Sequence, residues 1–168
     1  MSYPDAAVSV YRAADPPDIA AGPSTVRFVA PGSVTAGRFG LFEYRLGARS
    51  PGPGPHYHRT FAESFYVLSG ELTIYDGQRW AGFGPGDFAY VPDGGVHAFR
   101  NDGDDPAAFL ILFAPGIPRE RFFSELAEIR TSGRELSREE WVAFYARHDQ
   151  VNLPTSGAPP PSAPGPDR

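Results

Sequence analysis

Hydrophobic positions in this chain fall in short bursts separated by Pro, Gly and Asp. Such runs occupy residues 7–11, 26–30, 38–46, 56–60, 64–68, 71–76, 79–83, 88–91, 97–100 and 107–113. Frequent short strands broken by turn residues predict an all-β sandwich or barrel. Tyr75-Asp76-Gly77-Gln78 places an Asp-Gly pair between two of the runs, a hairpin signal. In the run 38–46, Phe42, Tyr44 and Leu46 alternate with Leu41, Glu43 and Arg45. Alternation puts the two sets on opposite faces but leaves open which set faces inward.

Beyond Pro115 the period changes to that of a helix. Pro118 is suited to be a first helical residue, and Phe122, Phe123, Leu126 and Ile129 repeat at helical spacing. Gly133 supplies the break after Thr131 and Ser132. A second helix is expected from Ser137, with Glu140 completing a capping box and Leu136 and Trp141 flanking it as a hydrophobic staple. Trp141, Val142, Phe144 and Tyr145 would form its apolar face. Helices placed after the strands most simply cover the outside or one mouth of a barrel. From Pro154 the chain is low in complexity and rich in Pro, which predicts a disordered tail over 154–168. The plan is one domain over 1–153, with strands over about 7–115 and a helical extension over about 118–148.

Composition narrows the chemistry. At 168 residues and 41% hydrophobic content, one domain with a sizeable core is expected. A net charge of −5 argues against nucleic acid or an anionic membrane as partner. All fifteen basic residues are Arg, so no Schiff-base or lysine-nucleophile mechanism is available. The chain has no Cys, which removes disulfides, thiolate ligands and cysteine nucleophiles. Its first residues lack the charged start and apolar core of a signal peptide, and no stretch approaches membrane-spanning length. The expectation is a cytoplasmic protein.

Three of the four histidines stand at spacings that suit one metal ion. His56 and His58 share a face of an extended strand. Glu63 lies an odd number of positions further on and joins them only if the chain turns between Thr60 and Ala62 and re-enters the sheet as a neighbouring strand. Phe65 and Val67 then share the Glu63 face. His97 opens a strand after the turn Pro92-Asp93-Gly94-Gly95. Imidazole nitrogens with a carboxylate oxygen suit divalent Mn, Fe, Co, Ni, Cu or Zn. Glu63 is the only acidic residue between Glu43 and Glu71. His148, the one histidine outside this set, is expected to cap the last helix rather than to act as a ligand.

Together these stretches resemble the paired motifs of the cupin superfamily. The first reads His56-x-His58, four residues, Glu63, six residues, Gly70. The second reads Gly86, five residues, Pro92-x-Gly94, two residues, His97, three residues, Asn101. One position departs from the family pattern: Ser50 stands where Gly is usual, with Gly52 and Gly54 close by in the same loop. The resemblance implies a jelly-roll β-barrel with one divalent transition metal inside, held by His56, His58, Glu63 and His97, and a homodimer.

The pattern is most similar to single-domain cupins of the quercetin-dioxygenase-like kind, through Glu-x-Phe-Tyr-Val-Leu-x-Gly at 63–70 and the helical extension. That resemblance implies a dioxygenase acting on a flavonol or another enolizable aromatic small molecule, with O2 as co-substrate. Glu63 would serve as both ligand and base. Phe65, Phe99, Phe42 and Tyr44 are the candidate pocket residues. Two further classes stand beside it. One is non-oxidative metal chemistry on an enolizable substrate: isomerisation, cyclisation or decarboxylation. The other is a binding module without turnover.

Overall fold

The computed structural model of the chain describes residues 8–154; positions 1–7 and the expected tail from 155 onward lie outside them. The described residues form eleven strands and two helices. In chain order the strands are β1 (Ile19–Ala21), β2 (Ser24–Ala30), β3 (Gly40–Leu46), β4 (His56–Tyr57), β5 (Ala62–Ser69), β6 (Leu72–Tyr75), β7 (Trp80–Phe83), β8 (Phe88–Val91), β9 (Ala98–Arg100), β10 (Ala107–Ala114) and β11 (Val151–Asn152). The helices, α1 (Arg119–Thr131) and α2 (Arg138–Arg147), lie between β10 and β11.

Every strand pairing is antiparallel. A six-stranded sheet runs β1-β2-β3-β10-β5-β8, a three-stranded sheet runs β7-β6-β9, and β11 pairs with β4. The order is far from sequential, as a jelly roll requires. The expected hairpin joins β6 to β7, with Tyr75 opposite Trp80 and Gly77 at φ +93°, a value that glycine adopts at little cost.

Register decides what fills the interior. On β10, Phe109, Ile111 and Phe113 are each at most 1% exposed. They lie opposite Tyr44, Phe42 and Gly40 on one side and Val67, Phe65 and Glu63 on the other. Phe42 and Leu46 are buried, Tyr44 is half-buried and Arg45 is exposed, so the Phe42 set faces inward. Tyr44 stacks on Phe109 at 5.5 Å, and Phe99 meets Phe65 edge-on at 5.4 Å. Offset and edge-to-face pairs of this kind add about 0.5–1.5 kcal/mol each beyond the area they bury.

Several strand ends differ from the alternation pattern. Residues 8–11 form no strand, and Val8 and Val10 stand 88% and 65% exposed, because no neighbouring strand takes up their hydrogen bonds. The run at 56–60 is strand only at His56–Tyr57, since the chain turns at 59–61 to bring Glu63 into β5. Two short strands, β1 and β11, carry too few apolar residues to show a period.

Pro118 is the N-cap of α1 rather than its first helical residue. α1 ends at Thr131, with Gly133 at φ +69° beyond it. α2 has the expected capping box: the Ser137 side chain accepts from the Glu140 N–H, and the Glu140 carboxylate accepts from the Ser137 N–H. Phe123 carries α1 onto the sheet, with its ring 5.2 Å from Phe42 and 6.0 Å from Tyr44. Phe144, fully buried, carries α2 onto Phe122 at 5.5 Å. Val142 does not belong to that face: it points outward at 62% exposure. No helix among the described residues is long and apolar enough to cross a membrane.

Candidate metal centre

Three strands of the barrel bring the four candidate donors together. His56 lies on β4 and His58 just beyond it, while Glu63 is the second residue of β5 and His97 directly precedes β9. His56 and His97 are locked face to face by a pair of backbone hydrogen bonds, N–H to carbonyl in each direction at 2.9 Å. The turn at 59–61 resolves the parity conflict along the chain. It lets Glu63 start a new strand whose inward face also carries Phe65 and Val67, both 1% exposed.

One donor atom from each of His56, His58, Glu63 and His97 lies within 4.8 Å of the others. All four residues are buried, at 1–3% exposure. A Glu63 carboxylate oxygen stands 3.0 Å from Nε2 of both His58 and His97. The His56 and His97 rings approach to 4.3 Å between centroids.

The far nitrogen of each ring is committed elsewhere. His56 Nδ1 bonds the Gly54 carbonyl at 2.8 Å, His97 Nδ1 the Gly95 carbonyl at 3.0 Å, and His58 Nδ1 the Asp149 carbonyl at 2.7 Å. A carbonyl oxygen only accepts, so each Nδ1 carries a hydrogen and each Nε2 turns toward the common centre. Ligating histidines are oriented in this way by acceptors behind them. The residues therefore fit a divalent transition metal in ligand type, number and orientation.

Charge is strongly coupled within the group. Burial pushes the Glu63 carboxyl up, but His97 and His58 overcome it and hold it well below the ordinary carboxylate range. Burial pulls the His97 imidazole down, and the Glu63 carboxylate reverses this, leaving it raised. His56 hydrogen-bonds no carboxylate among the described residues. Burial, with His97 adding to it against a partial offset from Glu63, lowers it to about 3. His56 is thus a neutral imidazole at physiological pH, the form a metal requires.

The expected pocket residues divide. Phe65 lies 6.0 Å from the His97 ring and next to Phe99, whereas Phe42 and Tyr44 pack in the aromatic core beneath Phe123. Three residues at the centre carried no signal that sequence reading used. Phe61, in the spacer between His58 and Glu63, stacks on His58 at 4.2 Å. Arg119, the first residue of α1, is buried over Phe122 at 3.9 Å and donates to the His148 carbonyl at 3.1 Å. Burial lowers it to about 10, so it stays charged at neutral pH. Asp149 supplies the carbonyl behind His58. His148 sits at the C-cap of α2, with Nε2 3.2 Å from Glu125 and away from the four donors.

Residues 40–113 match the family model described as the cupin domain. Over 73 residues the chain is 36% identical to the quercetin 2,3-dioxygenase of Bacillus subtilis, a stretch covering 44% of this chain and 21% of that protein. The chain therefore spans about a fifth of that relative's length. Among solved structures it is similar in fold to a polyketide cyclase from Streptomyces resistomycificus, with TM-score 0.55 and 24% identity over 65% of this chain and 80% of that one. It is similar also to ectoine synthase from P. lautus, with TM-score 0.53 and 20% identity over 66% and 77% of the two chains.

Proposed function

We propose that this chain, a member of the cupin superfamily through its residues 40–113, is a metal-dependent dioxygenase of an enolizable aromatic small molecule such as a flavonol. One observation carries the reading: three imidazole Nε2 atoms and one carboxylate converge in a buried site, each ring held from behind by a carbonyl. The identity shared with a quercetin dioxygenase over 73 residues supports the choice of substrate class, as do the rings of Phe61 and Phe65 against His58 and His97.

In this reading His56, His58, His97 and Glu63 hold one divalent ion. When bound, such an ion supplies Lewis acidity to a substrate hydroxyl and, where it is redox-active, the electron transfer that oxygen chemistry needs. Phe61 and Phe65 keep water from the site and offer faces to an aromatic substrate. Glu63 takes the proton of the substrate hydroxyl on a carboxylate oxygen. Its low proton affinity comes from the two imidazoles beside it, His97 first and then His58, whose Nε2 atoms stand 3.0 Å away. A cation held beside the carboxylate would lower it further and make it a poor base, and burial among aromatics works against that charge. The base role therefore requires Glu63 to be loosely held when substrate arrives.

The test begins with metal content. Protein purified without added metal and then reconstituted should hold close to one divalent transition metal per chain, and His56→Ala with His58→Ala should abolish binding. Wild-type protein that takes up no metal would overturn the reading at its base. Oxygen uptake with a flavonol should then accompany ring cleavage. Turnover of an enolizable substrate without oxygen uptake replaces the dioxygenase with an isomerase, cyclase or decarboxylase. Binding without turnover replaces it with a carrier. The resemblance also supports a homodimer, to be checked by light scattering.

A further inference from the structure

We propose that Asp149 is a positioning residue for the candidate metal centre: it aims His58 from behind and fastens the loop that follows it. The proposal rests on the metal reading above and adds to it a part of the chain outside residues 40–113.

The end of α2 shows why Asp149 is unusual. The Gln150 N–H bonds the Tyr145 carbonyl at 3.0 Å and the Asp149 N–H bonds the Ala146 carbonyl at 3.2 Å. This is the Schellman arrangement, which places the residue after the C-cap in the left-handed region and is normally filled by Gly. Here Asp149 stands at φ +51°. A non-glycine residue held there costs of order 1 kcal/mol, which the contacts around it must offset.

Its side chain and its carbonyl both reach the ligand loop. The carboxylate accepts from the Thr60 N–H at 2.8 Å, the Thr60 hydroxyl at 2.6 Å and the Arg59 N–H at 3.1 Å. The carbonyl accepts from His58 Nδ1 at 2.7 Å. One residue thus holds three consecutive positions, 58 to 60, through four hydrogen bonds. Flanking contacts keep it in place. Arg119 donates to the His148 carbonyl, Val151 and Asn152 pair with Tyr57 and His56, and the Leu153 N–H bonds the Pro55 carbonyl at 2.9 Å.

The contrast with the other imidazoles sharpens the assignment. His56 and His97 take their acceptors from Gly54 and Gly95, each two residues upstream in the same loop. His58 takes its acceptor from 91 residues away. Its tautomer and ring direction depend on the end of α2, and acceptors behind a ligating histidine set both.

The experiment measures zinc affinity by competition with a chromophoric chelator, and the His58 tautomer by nitrogen NMR in chelated protein. Asp149→Ala keeps the carbonyl but removes the carboxylate that fastens residues 59 and 60, and with it the Asp preference for the left-handed turn that aims the carbonyl. It should weaken zinc about ten- to a hundredfold, the usual effect of disturbing such a support. It should also release His58 from the Nδ1–H form. Asp149→Asn, which keeps both the turn preference and an acceptor, should restore most of the affinity. Ser137→Ala breaks the capping box of α2 and should lower the melting temperature while leaving zinc affinity unchanged. Should Asp149→Ala fail to fold, Asp149→Gly keeps the left-handed turn and the carbonyl, removes the carboxylate alone, and is read for zinc affinity in its place.

Wild-type affinity in the Ala or Gly variant, or an equal loss in Ser137→Ala, would overturn the proposal. Zinc bound by no variant and not by wild type ends the metal reading instead. The tautomer then still decides the positioning role, which falls if His58 keeps its Nδ1 hydrogen without the Asp149 side chain.

Discussion

Acid should unfold the chelated protein largely through His56. The ordinary imidazole value in the unfolded chain is 6.5, and burial, with His97 nearby, lowers His56 in the fold to about 3. Below 6.5 the unfolded state therefore binds a proton that the folded state refuses. Stability falls with pH through that window and levels off only near 3. At about 1.4 kcal/mol per tenfold change in proton affinity, the full loss approaches ~5 kcal/mol. Between about pH 6 and about pH 4.5 the same relation gives a loss of ~2 kcal/mol. His97 acts in the opposite sense. Its value is raised, so its contribution is fully present below 6.5 and is lost only as pH rises through its folded value. Glu63 is held well below the carboxylate range, so its contribution is present above the unfolded value and begins to fail only as pH falls below that value. The window is thus mainly the property of His56. Urea titrations of chelated wild type and His56→Gln at the two pH values test this. Wild type should lose ~2 kcal/mol more than the variant, a large share of the 5–15 kcal/mol that domains possess. Equal losses in the two proteins would refute the reasoning, because no neutral buried imidazole would then be resisting protonation.

Other outcomes follow from named contacts. Glu63→Gln should lower metal occupancy; if fully metallated it should remain about 10²- to 10⁴-fold slower with a turning-over substrate, the usual cost of a lost general base. Near wild-type turnover at full occupancy would leave Glu63 as a ligand alone. Phe144→Ala should cost about 3–5 kcal/mol in a denaturant titration because it empties a site packed by Phe122, Trp141 and Tyr145. Val142→Ala, two residues away at 62% exposure, should stay within about 0.5 kcal/mol. His148→Ala should leave metal content unchanged, since only its backbone carbonyl serves the centre; elemental analysis checks it.

The four donors were legible because their signal is local: His56, His58 and Glu63 lie within eight residues, and His97 follows a turn that Pro92, Asp93 and the two glycines announce. The strands from β2 through β10 were legible where a run held enough apolar positions to show a period. β1 and β11 were not, because Ile19–Ala21 and Val151–Asn152 become strands only by pairing with neighbours. The inward face of β3 stayed open because Leu41 and Phe42 are both apolar, and only the pairing of Phe42 with Ile111 and Tyr44 with Phe109 decides it. Val142 shows the reverse case, an apolar residue at helical spacing with nothing to pack against. Asp149 left only a faint trace: a helix end at His148-Asp149-Gln150 with no glycine to turn it.

The long span between His58 and its acceptor also orders the steps by which the protein matures. His56 and His97 find their carbonyls two residues away, so their rings are set as soon as their own loops form. His58 must wait until position 149 has been made and α2 has docked, a closure across 91 residues whose entropy must be overcome before its contacts stabilise anything. During synthesis the strands through β10 emerge before α2, so a nascent chain would carry two imidazoles with their local acceptors and one without. On the metal reading proposed above, high-affinity capture would then be the last event of folding. Loading would then mark a finished chain, and an incomplete one would hold its ion weakly.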